Sequence, residues 1–222
     1  MALGEALGHL AKIALGLSTL RAGARGLASL ASDRAVSRAT GQIGEPVARR
    51  HPVRRVDDRV AVVTDLIRRW GADPRVREVA ASMLTRRCGT RQDGQTEWCV
   101  PEKDARAEVI AIFGEVRRRV RYGRDTWGTD VYQAPLRTLK TGHGDCASYV
   151  ILLAALLRSV GYPTMLHVVQ TKKAADFDHI FLSVGLPPAR PTEWMALDAS
   201  VDRPAGWRPP AHMIRRERRF VP

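Results

Sequence analysis

Three side chains able to form a thiol, imidazole and carboxylate relay stand in order along the chain. They are Cys146 in "GHGDCASYVILLAALLRSVG", His179 in "FDHIFLSV" and Asp198 in "WMALDAS". The apolar run from Val150 onward predicts a core helix, and Cys146 falls in its first turn. There, unpaired backbone N–H groups and the positive end of the helix dipole favour a thiolate, the nucleophilic form. The Cys146 N–H would donate to an oxyanion, and Gly142 and Gly144 would let a substrate approach the backbone closely. A thiolate requires an imidazole partner, and the imidazole in turn requires orienting. Each residue alone has an ordinary reading: a small buried cysteine, a satisfied core histidine, an aspartate capping a turn. The ordered combination carries the chemistry.

The elements that must position them read as follows. "VDDRVAVVTDLIRRW" (56–70), "DPRVREVAASMLTRR" (73–87) and "EKDARAEVIAIFGEVRRRVRY" (102–122) have helical spacing. Asp73 and Pro74 give the second a start signal, and the third is expected to bury Ala107, Ile110, Phe113 or Gly114, Val116 and Val120. A long irregular approach, 123–145, precedes the cysteine helix, which Gly161 closes. "TMLHVVQT" (164–171), "HIFLSVGL" (179–186) and "EWMALDAS" (193–200) then read as strands. Helices followed by successive strands predict an α+β fold with a small antiparallel sheet. Adjacent strands would bring His179 beside Asp198, with the helix N-terminus across the sheet. Tyr149, Trp194 and the leucines of 152–157 are expected in the core.

Residues from about 56 to 207 resemble the transglutaminase-like cysteine-enzyme superfamily. "GDCASYVILLAALLRSVGYPTMLHVV" is similar to its nucleophile helix and following strand, "FDHIFLSV" to its histidine strand and "WMALDAS" to its aspartate strand. The resemblance implies a papain/transglutaminase-like fold, with Cys146 as nucleophile, His179 as general base and acid, and Asp198 as orienter of the imidazole. It implies acyl transfer at an amide, by a peptidase, amidase or transamidase acting on a peptide or protein without a cofactor. The layout "Y-x-x-D…P-L-x-T-L…GDC" is similar to versions encoded by tailed phages and prophages, many of which carry acidic residues where this chain has Ala147 and Ser148. Host-cytoplasmic or virion- and tail-associated placement follows from that likeness. Its alternative is a non-catalytic structural or assembly protein of a phage-like particle, using the fold as a binding module.

Bulk properties bound these readings. A hydrophobic fraction of 45% over 222 residues is enough for one substantial core plus an extension. The net charge of +13 is almost all arginine, scattered through "ARRHPVRR", "IRRW", "VRRRVRYGR" and "IRRERRF". Scattered charge without interleaved aromatics reads as solvated faces, so nucleic acid is not an expected partner. The last run reads as a basic C-terminal tail.

Residues 1–55 read as an arm. It opens with an apolar helical stripe (Leu3, Leu7, Leu10, Ala14, Leu17), and a polar linker, "SDRAVSRATGQIGEPVARRHP", follows. The arm is expected to dock on other subunits of an assembly, and 56–222 form the transglutaminase-like domain. The N-terminal residues lack a signal-peptide h-region, and no stretch reaches membrane-spanning length. Cys88 and Cys99 flank "GTRQDGQTEW" and read as reduced thiols, or as a hairpin-closing pair in an oxidising compartment. Cys88 and Cys99 lack the two further ligands of a zinc site, and His143 and Asp145, which could join Cys146 as metal ligands, are more simply explained by the turn they lie in. His143 and Asp145 read as turn and helix cap, and Gln133 and Trp127 stand as candidate second oxyanion donors.

Overall fold

A computed structural model describes residues 31–44, 55–123, 131–171, 174 and 176–222. Its centre is a helix apolar on every side, α6 (Cys146–Ser159), in which Ile151 to Leu157 are 0–1% exposed. Such a helix is stable only when enclosed. α2 (Val56–Gly71), α3 (Pro74–Leu84), α4 (Ala105–Arg119) and α5 (Pro135–Thr141) pack around it, and a four-stranded sheet lies against it. The sheet is antiparallel in the order β7 (Glu193–Leu197), β6 (His179–Leu186), β5 (Thr164–Thr171), β8 (Ile214–Phe220). The fold is therefore α+β, as expected.

Local chemistry sets the ends of these helices. Asp73 accepts the Arg75 N–H at 2.8 Å ahead of Pro74, and Asp104 accepts the Ala107 N–H at 2.9 Å. The Arg55 N–H donates to Asp58 at 2.9 Å, fixing the start of α2. Gly161, at φ +95°, takes the left-handed conformation that ends α6 and turns the chain into β5.

Several expectations are corrected. Residues 31–41, read as part of a linker, form a helix (α1) whose Ser32, Ala35, Val36, Ala39 and Thr40 are buried. This is a helical stripe made of small residues, and Val36 and Ala39 join the main core. Its polar side is tied to the same chain: Asp33 pairs with Arg118 and Arg119, and Arg38 with Glu78. The basic tail "IRRERRF" is the edge strand β8, turning Glu217 inward between flanking arginines. Within the irregular approach the structure forms α5, with Pro135 in its first turn. Ile110 and Trp194, expected in the core, are 46% and 44% exposed. The apolar stripe at 3–17 and Trp127 lie outside the described residues.

β1 (Arg87–Thr90) and β2 (Thr96–Trp98) form a hairpin, and the Cys88–Cys99 disulfide closes it, with Cα atoms 4.9 Å apart. The reading of these two as reduced thiols is thereby corrected, because the hairpin brings the pair within bridging distance. Thiol titration of the denatured, unreduced protein should find one thiol, Cys146, and three after reduction. Three before reduction would mean that the hairpin holds the pair unbonded. Among the described residues no helix is long and apolar enough to cross a membrane.

Candidate active site

The first turn of α6 is anchored from three directions. Asp145 caps it, accepting the Ser148 N–H at 2.8 Å. Upstream, β3 (Arg121–Tyr122) and β4 (His143–Gly144) pair in parallel, tying the approach to the exit of α4. From within the helix, the Tyr149 hydroxyl donates to the Val120 carbonyl. Gly142 ends α5 at φ +67°. Gly144 serves packing and is not an open platform for substrate: a Cβ there would lie 2.8 Å from Ser148 Cβ and 3.3 Å from Thr138 Cγ2. Small residues thus let the turn lie flat on α6, leaving Cys146 half-buried at its tip.

His179 opens β6 and Asp198 follows the last residue of β7, so the pairing of these strands brings them together. His179 Nε2 lies 2.6 Å from Asp198 Oδ2. Cys146 lines the same cavity as this ring and favours its charged form, and Nδ1 is the nitrogen left to face the thiol. Sequence reasoning missed Ser200, which steadies the carboxylate. Its hydroxyl and N–H both donate to Asp198 Oδ1, at 2.7 and 3.2 Å. The serine two residues past an aspartate was the available signal, since such turns fold back on the carboxylate. Exposure falls from the half-buried thiol to 18% for the His179 side chain and 2% for that of Asp198.

The electrostatics favour a charged ring. Burial disfavours the imidazolium, but the hydrogen bond it donates to Asp198, the adjacent Cys146 and the negative charge beside the ring outweigh it, pushing the His179 pKa up to about 10. Phe181 stacks beside the ring, with centroids 6.2 Å apart. Behind Phe181, at 4.7 Å, lies His167, which sequence reasoning also missed. Burial pushes the His167 pKa down despite its contact with Glu217. The neutral ring fits a chain in which Nδ1–H donates to Glu217 at 2.7 Å and Nε2 accepts from Ser183 at 2.8 Å. Burial opposes the Glu217 charge, but His167, Arg219 and Arg208 together hold its pKa down to about 2. No local pattern announces this network, because its members come from three strands.

The remaining candidates are dispersed. Gln133 accepts from the Thr141 hydroxyl at 3.4 Å, and His143 Nδ1 lies 2.8 Å from the Thr141 carbonyl. Among the described residues, no three of His, Cys, Asp and Glu converge to hold a metal ion. A cavity of about 130 Å³ adjoins Cys146 and His179, roofed by the first turns of α2.

Residues 93–199 match the transglutaminase-like superfamily profile, a span that includes Cys146, His179 and Asp198. No match was found among curated proteins. Among solved structures, a candidate cysteine protease from Cytophaga hutchinsonii is similar at 18% identity and a TM-score of 0.35. That likeness covers 52% of this chain and 40% of the other, so the chain spans about two fifths of that protein's length. Legionella pneumophila LapG in its calcium-bound form is similar at 17% identity and a TM-score of 0.39, over 65% of this chain and 75% of LapG. A second LapG structure gives the same values.

Proposed function

We propose that the chain is a thiol enzyme of acyl transfer at an amide, with Cys146 as nucleophile, His179 as general acid and base, and Asp198 as the group that orients the imidazole. The observation that carries this reading is the His179 ring held 2.6 Å from a buried carboxylate, with Cys146 beside it on the wall of the same cavity. The Cys146 thiolate attacks the amide carbonyl, forming a C–S bond and placing the electron pair on oxygen. The Cys146 N–H at the start of α6 faces that oxyanion. Collapse expels the amine, which takes a proton from the His179 imidazolium and leaves a thioester. Water or an amine then attacks, giving its proton to His179, and the thiolate departs. Asp198 keeps the ring aligned throughout and balances its charge.

The direct test is alkylation by iodoacetamide at about pH 6, followed by peptide mapping. An ion-paired Cys146 should react roughly tenfold or more faster than N-acetylcysteine. Equal rates would remove the nucleophile assignment. A substrate that is a peptide or protein follows from the amide chemistry, and the Cys88–Cys99 disulfide favours an oxidising compartment over a host cytoplasm. The alternative, a non-catalytic assembly module of a phage-like particle, has less support. Residues 31–41 of its docking arm are taken up by this chain's own core.

A further inference from the structure

The cavity beside Cys146 is close in size to the roughly 150 Å³ apolar cavity that takes up one benzene ring. Its apolar walls are Val56, Val60 and Val63 from α2, Val168 and Ile180 from the sheet, and Phe177 from the approach to β6; polar groups, His179 among them, also line it. The three valines recur at four and three residues and form one stripe of the helix. Val60 and Val63 are also core residues, 6% and 2% exposed, so the wall is held rigidly and the slot keeps its dimensions.

Charged side chains reach the slot but are engaged elsewhere. Asp145 holds the Ser148 N–H, and Asp178 accepts the Thr171 N–H and hydroxyl at 2.7 and 2.8 Å. Arg59 likewise has an interaction of its own. A carboxylate, ammonium or primary amide entering here would shed water and have to compete with these existing bonds for a partner at the rim. An aliphatic or aromatic group would lose nothing comparable and would leave water.

We propose that this slot binds one branched-aliphatic or single-ring side chain of the substrate, on the acyl side of the amide that Cys146 attacks. The assignment rests on the thiol-enzyme reading above. The first turn of α6, through Asp145 and Ala147, lines the slot as well as presenting the N–H that faces the carbonyl oxygen. The acyl half therefore stays seated while the amine leaves. A residue with a neutral apolar side chain, at the carbonyl or one position before it, is selected over glutamine, glutamate or lysine.

The test uses the full chain and dipeptidyl chloromethyl ketones, Gly-X and X-Gly, with X as Leu, Phe, Gln, Glu or Lys. Alkylation forms a C–S bond to Cys146 and releases chloride, so inactivation rates report seating of X. In one of the two positions, Leu or Phe should react on the order of 10- to 100-fold faster than Gln, Glu or Lys. Equal rates, or faster reaction of a polar probe, while iodoacetamide still singles out Cys146, would overturn the slot assignment alone. Failure of iodoacetamide to single out Cys146 would take down the thiol reading and the slot with it. Val56→Asp adds a carboxylate at the rim, in a first turn that already carries Asp57 and Asp58. It should lower the ratio of Leu-probe to Lys-probe rates at least tenfold, a ratio that general loss of reactivity does not move. An unchanged ratio would also count against the slot.

Discussion

His179→Ala slows alkylation of Cys146 by about tenfold at neutral pH and by on the order of 1,000-fold near pH 5. The widening gap is the informative part. An isolated thiol is only a few per cent ionised at neutral pH, and its reactivity falls about tenfold with each further unit of acidity. In the intact site the imidazolium, with its pKa pushed up to about 10, remains charged across that range, and in the proposed thiol enzyme it is the positive charge that stands beside the nucleophile. Wild-type reactivity should therefore stay nearly flat between about pH 5 and 8 while that of the variant declines. Parallel pH profiles would show that His179 does not supply the charge. The same elevated value sets the sign of a stability effect. The folded state holds the His179 proton more tightly than the unfolded chain, so the stabilisation is complete below about pH 6.5 and is lost as pH rises through about 10. Denaturation midpoints should fall over that interval in the wild type and less so in His179→Ala. NMR titration of the ring separates the contributions. Asp198→Asn should bring the His179 pKa down, since it removes the carboxylate charge beside Nε2.

The parts of this arrangement legible in sequence are those whose signal is local. α6 stands out because 14 residues that are nearly all apolar cannot be a strand or a surface helix. His179 and Asp198 each sit at the end of a short, partly alternating strand, so their convergence followed once an antiparallel sheet was expected. α1 was hidden because its buried stripe is built from Ser32, Ala35, Val36, Ala39 and Thr40, which carry little hydrophobicity individually. β8 was hidden for the opposite reason. Its arginines are long enough to cover neighbours while keeping their charges in water, and they disguise a strand as a solvated run. The site details that escaped are tertiary. Glu217 meets His167 across 50 residues of chain, and both steady a stack that ends at His179. Ser200 lay in plain view, but its effect on Asp198 depends on the turn after β7, which alternation does not encode.

Glu115→Ala should cost about 3 kcal/mol of stability, the low end of what removing one partner from a buried charge cluster costs. Glu115 is a carboxylate on the buried side of α4, its side chain 7% exposed, and three arginines converge on it. Arg86 lies at 2.5 Å, Arg118 at 2.9 Å and Arg119 at 3.2 Å. Deleting the carboxylate leaves like charges facing one another, with Arg119 only 11% exposed and unable to escape fully to water. Asp33 of α1 also bridges Arg118 and Arg119, but its side chain is 41% exposed, so Asp33→Ala should cost under about 1 kcal/mol. Urea denaturation of the two variants tests the contrast. Equal losses would mean that burial at Glu115 does not decide the energetics. The cluster matters to the site because of what leaves the end of α4. Val120 accepts the Tyr149 hydroxyl, and Arg121 and Tyr122 pair with His143 and Gly144 immediately before Cys146. A loosened α4 terminus would therefore free the turn that aims the thiol, so Glu115→Ala should also slow Cys146 alkylation under conditions where the protein remains folded. Asp33→Ala, which leaves Glu115 and its three arginines in place, should not.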